Sequence, residues 1–116
     1  MANSIELGGK KYDLKFTRFS AFSIAEQTGQ SFKEFLRRWL IENDNDYAGP
    51  LVIWACTVWK YSVDFQDIAR VLNPDIRKEL EAATTAFFEY YDQIKQLTAD
   101  TLGTTNAESE KSEIKQ

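Results

Sequence analysis

The residues best suited to chemistry lie in the acidic segment NDNDYAG at 43–49, whose side-chain oxygens could hold a calcium ion. Counting Asp44 as the first position of a calcium loop makes Asp46 the third and Gly49 the sixth, as such a loop requires. The fifth position then has no oxygen ligand, and the twelfth is Ala55, where a bidentate glutamate is needed. The segment is therefore interpreted as a solvated loop with helix-capping side chains, and no metal site is predicted.

Catalytic side chains are scarce in the rest of the sequence. It contains no histidine, which removes the commonest general base and the commonest metal ligand. Cys56 is the only cysteine and lies in an apolar run, so it is interpreted as a buried, inert thiol. The pair Gly8-Gly9 matches neither of the glycine patterns that bind phosphates. No catalytic, cofactor-binding or metal-binding residue is predicted, and the protein is not expected to be an enzyme.

One segment suggests DNA binding. The stretch VDFQDIARVLN resembles the first helix of a helix-turn-helix, whose next helix enters the major groove. That next helix begins PDIRKELEAATT, where Arg77 and Lys78 are balanced by two glutamates, and the whole chain has a formal charge of −4. Phosphate neutralisation needs clustered cations, so the balance disfavours nucleic acid as a partner. A small DNA-binding regulator using residues 63–83 remains an alternative hypothesis.

The elements that must position these residues begin with a β-hairpin. Two alternating runs flank Gly8-Gly9 and predict a hairpin over 4–16. A two-residue turn at these glycines pairs Glu6 with Lys11 on one face. It places four apolar side chains on the other face: Ile5, Leu7, Tyr12 and Leu14. Because a lone hairpin is not stable in water, this apolar face is expected to lie on helices.

About five helices are expected after the hairpin. They are 18–28, a helix that begins after Ser31, about 50–61, one that begins at Ser62 or Asp64, and about 75–97. The second carries an apolar stripe of Phe32, Phe35, Leu36, Trp39 and Leu40. The third follows a loop at 43–50 and has Pro50 in its first turn. Its run LVIWACTVW at 51–59 is apolar nearly all round, so this helix is predicted to be central.

The predicted fold is therefore mainly α with a small N-terminal β-hairpin (α+β), its helices packed around the central apolar helix. One domain is expected over 1–98, followed by a disordered polar tail over 99–116. The apolar run is too short to cross a membrane, and the N-terminus lacks the pattern of a signal peptide, so no membrane partner is expected. The single cysteine favours a reducing, cytoplasmic setting.

Aromatic residues make up 14% of the chain, a surplus that one small core is not expected to absorb. The candidate partner-binding residues are Trp39, Trp54, Trp59, Phe88 and Tyr91. The alternative, that each is a core residue at helical spacing, stays open for every one of them. A homo-oligomer is one way in which the all-round apolar helix could be covered.

The order and spacing of these pieces resemble the tail assembly chaperones of long-tailed bacteriophages and related prophages. In that family a G-G-K-x-Y-x-L-x-F-T pattern precedes an E-x-x-T-G-x-S turn. The matching residues are Gly8, Gly9, Lys10, Tyr12, Leu14, Phe16 and Thr17, then Glu26, Thr28, Gly29 and Ser31. The similarity covers about residues 4–97.

This resemblance implies a non-enzymatic protein that binds the tape measure protein, keeps it soluble and recruits tail tube subunits. It implies action in the cytoplasm of the bacterial host and absence from the finished virion. The family provides no catalytic residue to transfer. A structural head–tail component that stays in the particle is a further alternative.

Overall fold

The N-terminal hairpin has the predicted register. The computed structural model describes the backbone of residues 3–105 and the side chains of residues 3–96. Strands β1 (Asn3–Leu7) and β2 (Lys10–Leu14) are antiparallel, with Ile5 opposite Tyr12. Gly8 and Gly9 have φ values of 58° and 80°, which glycine adopts without a steric penalty. All four predicted face residues of the hairpin are buried.

Helix α1 (Arg18–Thr28) begins with a reciprocal cap that the sequence analysis did not predict. The amide N–H of Ser20 donates to Thr17 Oγ1 at 3.3 Å, and the amide N–H of Thr17 donates to Ser20 Oγ at 2.9 Å. The helix ends as predicted at Gly29, which has a φ of 74°. The buried side of α1 is formed by small and aliphatic side chains, namely Ser20, Ser23 and Ile24.

Helix α2 (Phe32–Leu36) continues as a π-helical turn over Arg37–Ile41. Ser31 caps it as predicted, accepting from the amide N–H of Glu34 at 3.2 Å. The predicted apolar stripe holds for Phe35 and Trp39, which are buried, but it fails at Leu40, which is exposed. The wider turn inserts an extra residue, so the side chains that follow rotate away from the α-helical face.

Helix α3 runs over Asn45–Ala55, so the predicted loop at 43–50 and helix at 50–61 are both wrong in their boundaries. Pro50 lies inside the helix rather than in its first turn. Its nitrogen cannot donate to the carbonyl of Asp46, but Asp46 is exposed, so this end of the helix faces solvent. At the other end, the carbonyl of Cys56 accepts from the amide N–H of Lys15 at 3.0 Å. This long-range bond ends α3 earlier than the apolar run suggests.

Helix α4 (Phe65–Val71) begins at the predicted cap residue Asp64, and α5 covers Arg77–Thr105. The helix α5 continues past the predicted end at 97 and into the segment 99–105, which was assigned to a disordered tail. Helix propagation adds one hydrogen bond for each residue ordered, and no proline interrupts this stretch. The remainder of that predicted tail, 106–116, lies outside the described residues.

The central position of α3 is confirmed. The whole of 51–57 is buried, and α3 packs against α1, α4, α5 and the π-helical turn. The hairpin lays its apolar face on α5, as expected from its pattern. The chain thus covers its own apolar helix, so this helix needs no second copy to cover it. The architecture is mainly helical with one two-stranded antiparallel sheet, as predicted.

Candidate partner-binding surfaces

Two of the five candidate partner-binding aromatics belong to the core. Trp39 is 3% exposed, and its ring lies 5.2 Å from Phe87 in an edge-to-face contact. Trp54 is 8% exposed, packs against Phe65, and donates its indole N–H to the carbonyl of Val63 at 3.0 Å. Trp39 and Trp54 are therefore core residues, which was the alternative interpretation of the sequence, and neither offers a face to a partner in this conformation.

Trp59 is exposed, but its position has a structural reason. Its indole N–H donates to the main-chain carbonyl of Asp13 at 3.0 Å. The Nζ atoms of Lys15 and Lys60 lie 5.5 and 5.7 Å from the centre of its ring. Cation–π contacts of this length cover the ring with charged groups. Trp59 therefore fastens the turn after α3 to strand β2, and it is a poorer candidate for an apolar partner than its exposure suggests.

Phe88 and Tyr91 remain candidates, because both are exposed on α5. Their rings lie 6.4 Å apart and perpendicular to each other, on the outer side of the buried Phe87. The molecule is elongated, with extents of 53 × 29 × 23 Å along its principal axes. Toward the end of α5 the helix is mostly exposed, as residues 91–93 and 95–96 show.

A second exposed aromatic pair lies on α1 and was missed by the sequence analysis. Phe19 and Phe22 are 55% and 56% exposed, and their rings stack at 6.2 Å. The usual amphipathic pattern is inverted here, since the same helix buries Ser20 and Ser23. No local pattern identifies this pair, because residues three apart share a helix face and the spacing does not say whether that face meets the core.

The π-helical turn adds a third apolar surface. Ile41 is 74% exposed, and Leu40 is exposed beside it. Together with Leu36 they line an open groove that is also lined by the charged side chains of Lys33, Glu34 and Arg37. The sequence analysis placed Leu40 in the core stripe, and no local pattern indicated that the last turn would widen.

The acidic segment that was weighed as a calcium loop serves the fold. The carboxylate of Asp44 accepts from Arg38 Nε at 2.7 Å, and the guanidinium of Arg38 stacks 3.7 Å from the ring centre of Tyr47. This contact ties the π-helical turn to the start of α3 and raises the pKa of Arg38. Among residues 3–96, no group of three or more carboxylates or thiols is arranged to hold a metal ion.

The charged side chains at the start of α5 do not support the helix-turn-helix alternative. Arg77 forms a forked pair with Asp75, with nitrogen–oxygen distances of 2.9 and 2.8 Å. This pairing lowers the pKa of Asp75 to about 2 and occupies the guanidinium that would meet a phosphate. Glu81 is exposed on the same helix beside Lys78. The first turns of α5 thus present mixed charge, whereas DNA binding needs clustered cations.

Cys56 behaves as the sequence analysis expected of a buried thiol. It is fully buried, and its Sγ lies 3.8 Å from the carbonyl oxygen of Ala83. Desolvation raises the pKa of the thiol well above its ordinary value, which disfavours the nucleophilic thiolate.

No protein-family model, curated protein or solved structure matches this chain. Within the described range, none of the helices combines the length and the apolar character that crossing a membrane requires.

Proposed function

We propose that this chain is a tail assembly chaperone of a long-tailed bacteriophage or related prophage, a non-enzymatic protein that binds the tape measure protein and recruits tail tube subunits. The proposal begins from the motif resemblance over residues 4–97. It also assigns the protein to the cytoplasm of the bacterial host and predicts its absence from finished virions.

The observation that carries the proposal is the exposure of paired aromatics on two separate helices. Phe19 and Phe22 lie on α1, and Phe88 and Tyr91 lie on α5. Aromatic side chains dominate the energy of protein interfaces, and large exposed apolar patches mark sites of interaction. A chaperone for a long helical protein needs such surfaces, because an amphipathic helix buries its apolar face in an apolar groove.

The test is co-expression of this chain with the large helical protein encoded beside it. We expect the wild-type chain to keep that partner soluble and to co-purify with it. The double variant Phe19→Ser/Phe22→Ser and the double variant Phe88→Ser/Tyr91→Ser should each lose co-purification. The matched control is Glu26→Ser/Gln27→Ser, two exposed polar positions on α1, which should retain it.

Two outcomes would replace the proposal by an alternative. Stoichiometric amounts of this chain in purified virions, measured by mass spectrometry, would identify a structural head–tail component. A salt-sensitive gel shift with duplex DNA, lost on neutralising Lys78 and Arg70, would identify a DNA-binding regulator. If neither aromatic pair affects co-purification, the exposed aromatics are not the chaperone surface.

A further inference from the structure

The two edges of the hairpin differ in whether other residues cover their main-chain groups. On β2, the outward-pointing amide N–H of Asp13 donates to Tyr61 Oη at 2.9 Å, and its carbonyl accepts from Trp59 Nε1 at 3.0 Å. The amide N–H of Lys15, just beyond the strand, donates to the carbonyl of Cys56. The segment after α3 therefore closes much of this edge. A closed edge cannot pair with another strand.

The edge of β1 has no such cover. Ser4 stands opposite Asp13, and Glu6 stands opposite Lys11. Opposite residues of an antiparallel pair share one hydrogen-bonding class, and Asp13 points its main-chain groups outward. Ser4 and Glu6 therefore do the same. Both residues are exposed, and within residues 3–96 no hydrogen bond is formed by their main-chain groups outside the hairpin.

A groove lies along this open edge. One wall is β1, from Asn3 to Glu6, and the other is the first turns of α5, including Glu79, Glu81 and Thr85. Glu79 supplies a second observation, because its Oε1 atom is buried and has no hydrogen-bond partner among the described side chains. Leaving a buried carboxylate oxygen unpaired is costly, and rotation of this side chain toward a donor on a bound molecule would remove that cost.

We propose that the outer edge of β1 and the adjoining face of α5 bind an extended, basic peptide segment of a partner protein by β-strand addition. The partner's main chain pairs with the outward N–H and C=O groups of Ser4 and Glu6, and a lysine or arginine side chain donates to Glu79. In this mode the main-chain bonds provide affinity, and the side-chain pockets provide specificity. The inference does not depend on the proposed function, which uses the aromatic surfaces of α1 and α5.

The charges of the groove select this occupant. Glu6, Glu79 and Glu81 line it, against the single cation Lys78. A second copy of β1 in antiparallel pairing would bring two Glu6 side chains and two sets of α5 carboxylates into one groove, and like charges held close together are destabilising. A nucleic acid would place its phosphates beside the same carboxylates. A basic strand meets complementary charge at each of these positions.

The probe for the test is a fluorescent heptapeptide of alternating lysine and valine, added to the full-length protein. We expect binding by fluorescence anisotropy that weakens with salt, together with slowed amide hydrogen exchange at Ser4 and Glu6. A glutamate–valine heptapeptide is the charge control and should not bind. The same lysine–valine peptide with alternate N-methylated amides, which cannot pair with a strand, should bind at least about fivefold more weakly, the effect of losing one main-chain hydrogen bond.

Two protein variants locate the site. Ser4→Pro removes an outward N–H that the hairpin ladder does not use, and Lys11→Pro is the matched change on the opposite strand. We expect Ser4→Pro and Glu79→Gln each to weaken the affinity for the lysine–valine peptide by about fivefold or more. Lys11→Pro should leave that affinity unchanged. If Ser4→Pro unfolds the hairpin, the N-methylated peptide makes the same test on the wild-type chain.

The inference is overturned by any of three results. Exchange at Ser4 and Glu6 that does not change with the peptide would show that the edge is not used. Equal binding of the N-methylated peptide would mean that only charge is recognised. Slowed exchange at these two amides in the free protein, growing with protein concentration, would show that a second copy occupies the edge.

Discussion

Trp59 and Asp13, which lie 46 residues apart in the sequence, are joined by a hydrogen bond of 3.0 Å from the indole N–H to the main-chain carbonyl. The same residue of β2 also receives Lys60, whose Nζ lies 3.3 Å from its carboxylate. Two successive side chains of the turn after α3 thus hold one residue of the hairpin. This relationship explains why an exposed tryptophan is found in a protein whose other two indoles are buried.

Trp59→Phe removes this hydrogen bond while keeping an aromatic ring at the position. We expect a loss of about 1 kcal/mol in the free energy of unfolding, the net value of one such bond. Urea denaturation measures it, and hydrogen exchange should quicken at Asp13, whose amide is bonded to Tyr61. The control Lys60→Gln removes an exposed ion pair and an exposed cation–π contact with the Trp59 ring, and it should change stability by less. An unchanged stability of Trp59→Phe would mean that the indole bond contributes nothing in solution.

The turn of the hairpin should distinguish between residues that tolerate a positive φ and those that do not. Gly9 has a φ of 80°, and a Cβ atom built there meets no neighbour within 4 Å. Gly9→Val should therefore destabilise the hairpin through backbone conformation alone, by about 1–2 kcal/mol, whereas Gly9→Asn should cost less. Amide protection over 4–14 reports the difference. Equal protection in both variants would contradict a left-handed conformation at this residue.

Buried and exposed phenylalanines should differ in their effect on stability. Phe35 is fully buried, and Phe35→Ala is expected to cost about 3–5 kcal/mol through lost packing and the cavity left behind. Phe19→Ser/Phe22→Ser changes exposed rings and is expected to stay within about 1 kcal/mol. Urea denaturation checks both. A loss in the double variant as large as that of Phe35→Ala would mean that the α1 pair belongs to the core.

Cys56 should be unreactive until the protein opens. Burial raises the pKa of its thiol above the ordinary 9.0, so the folded protein keeps the proton where the unfolded chain releases it. This contribution to stability is complete below about pH 9 and declines as the pH rises above it. Labelling with a thiol reagent at pH 8 should follow the urea unfolding curve. Rapid labelling of the native protein would contradict the buried position, and Cys56→Ala should reduce the alkaline decline.

The ion pair before α5 should be visible in the titration of Asp75. The carboxyl has a pKa lowered to about 2, chiefly by hydrogen bonds from Arg77. Because the folded value lies below the ordinary 3.8, the pair is fully formed above about pH 4 and is lost as the pH falls toward 2. A titration followed by NMR should show this midpoint, and Arg77→Gln should return it to near the ordinary value. If the titration midpoint of Asp75 is the same in Arg77→Gln, the ion pair with Arg77 does not cause the low pKa.

Some features could be predicted from the sequence because they depend on neighbours in the chain. The register of Ile5 against Tyr12, the turn at Gly8 and Gly9, and the end of α1 at Gly29 all follow local rules. The central apolar helix was also predictable, since a segment that is apolar nearly all round must be covered. The boundaries of this helix were not predictable, because the carbonyl of Cys56 accepts a hydrogen bond from Lys15, just after the hairpin.

The candidate surface was predicted only in part. Phe88 and Tyr91 remain exposed, but Trp39 and Trp54 are core, and Phe19 and Phe22 were missed. Helical periodicity places residues on a common face without saying which face meets the core. That choice depends on the sizes of side chains from distant elements, such as the contact of Trp39 with Phe87.

The sequence by itself determined the class of the fold, the hairpin and its register, because strand alternation and glycine conformation act over a few residues. The tertiary structure alone decided which aromatic residues of this chain stay in solvent and which edge of the hairpin stays open. Trp59 and Tyr61 close the edge of β2 at Asp13, and no comparable side chain within the described residues reaches Ser4 on β1. Such contacts form between residues far apart in the chain, where local patterns carry no information about distance.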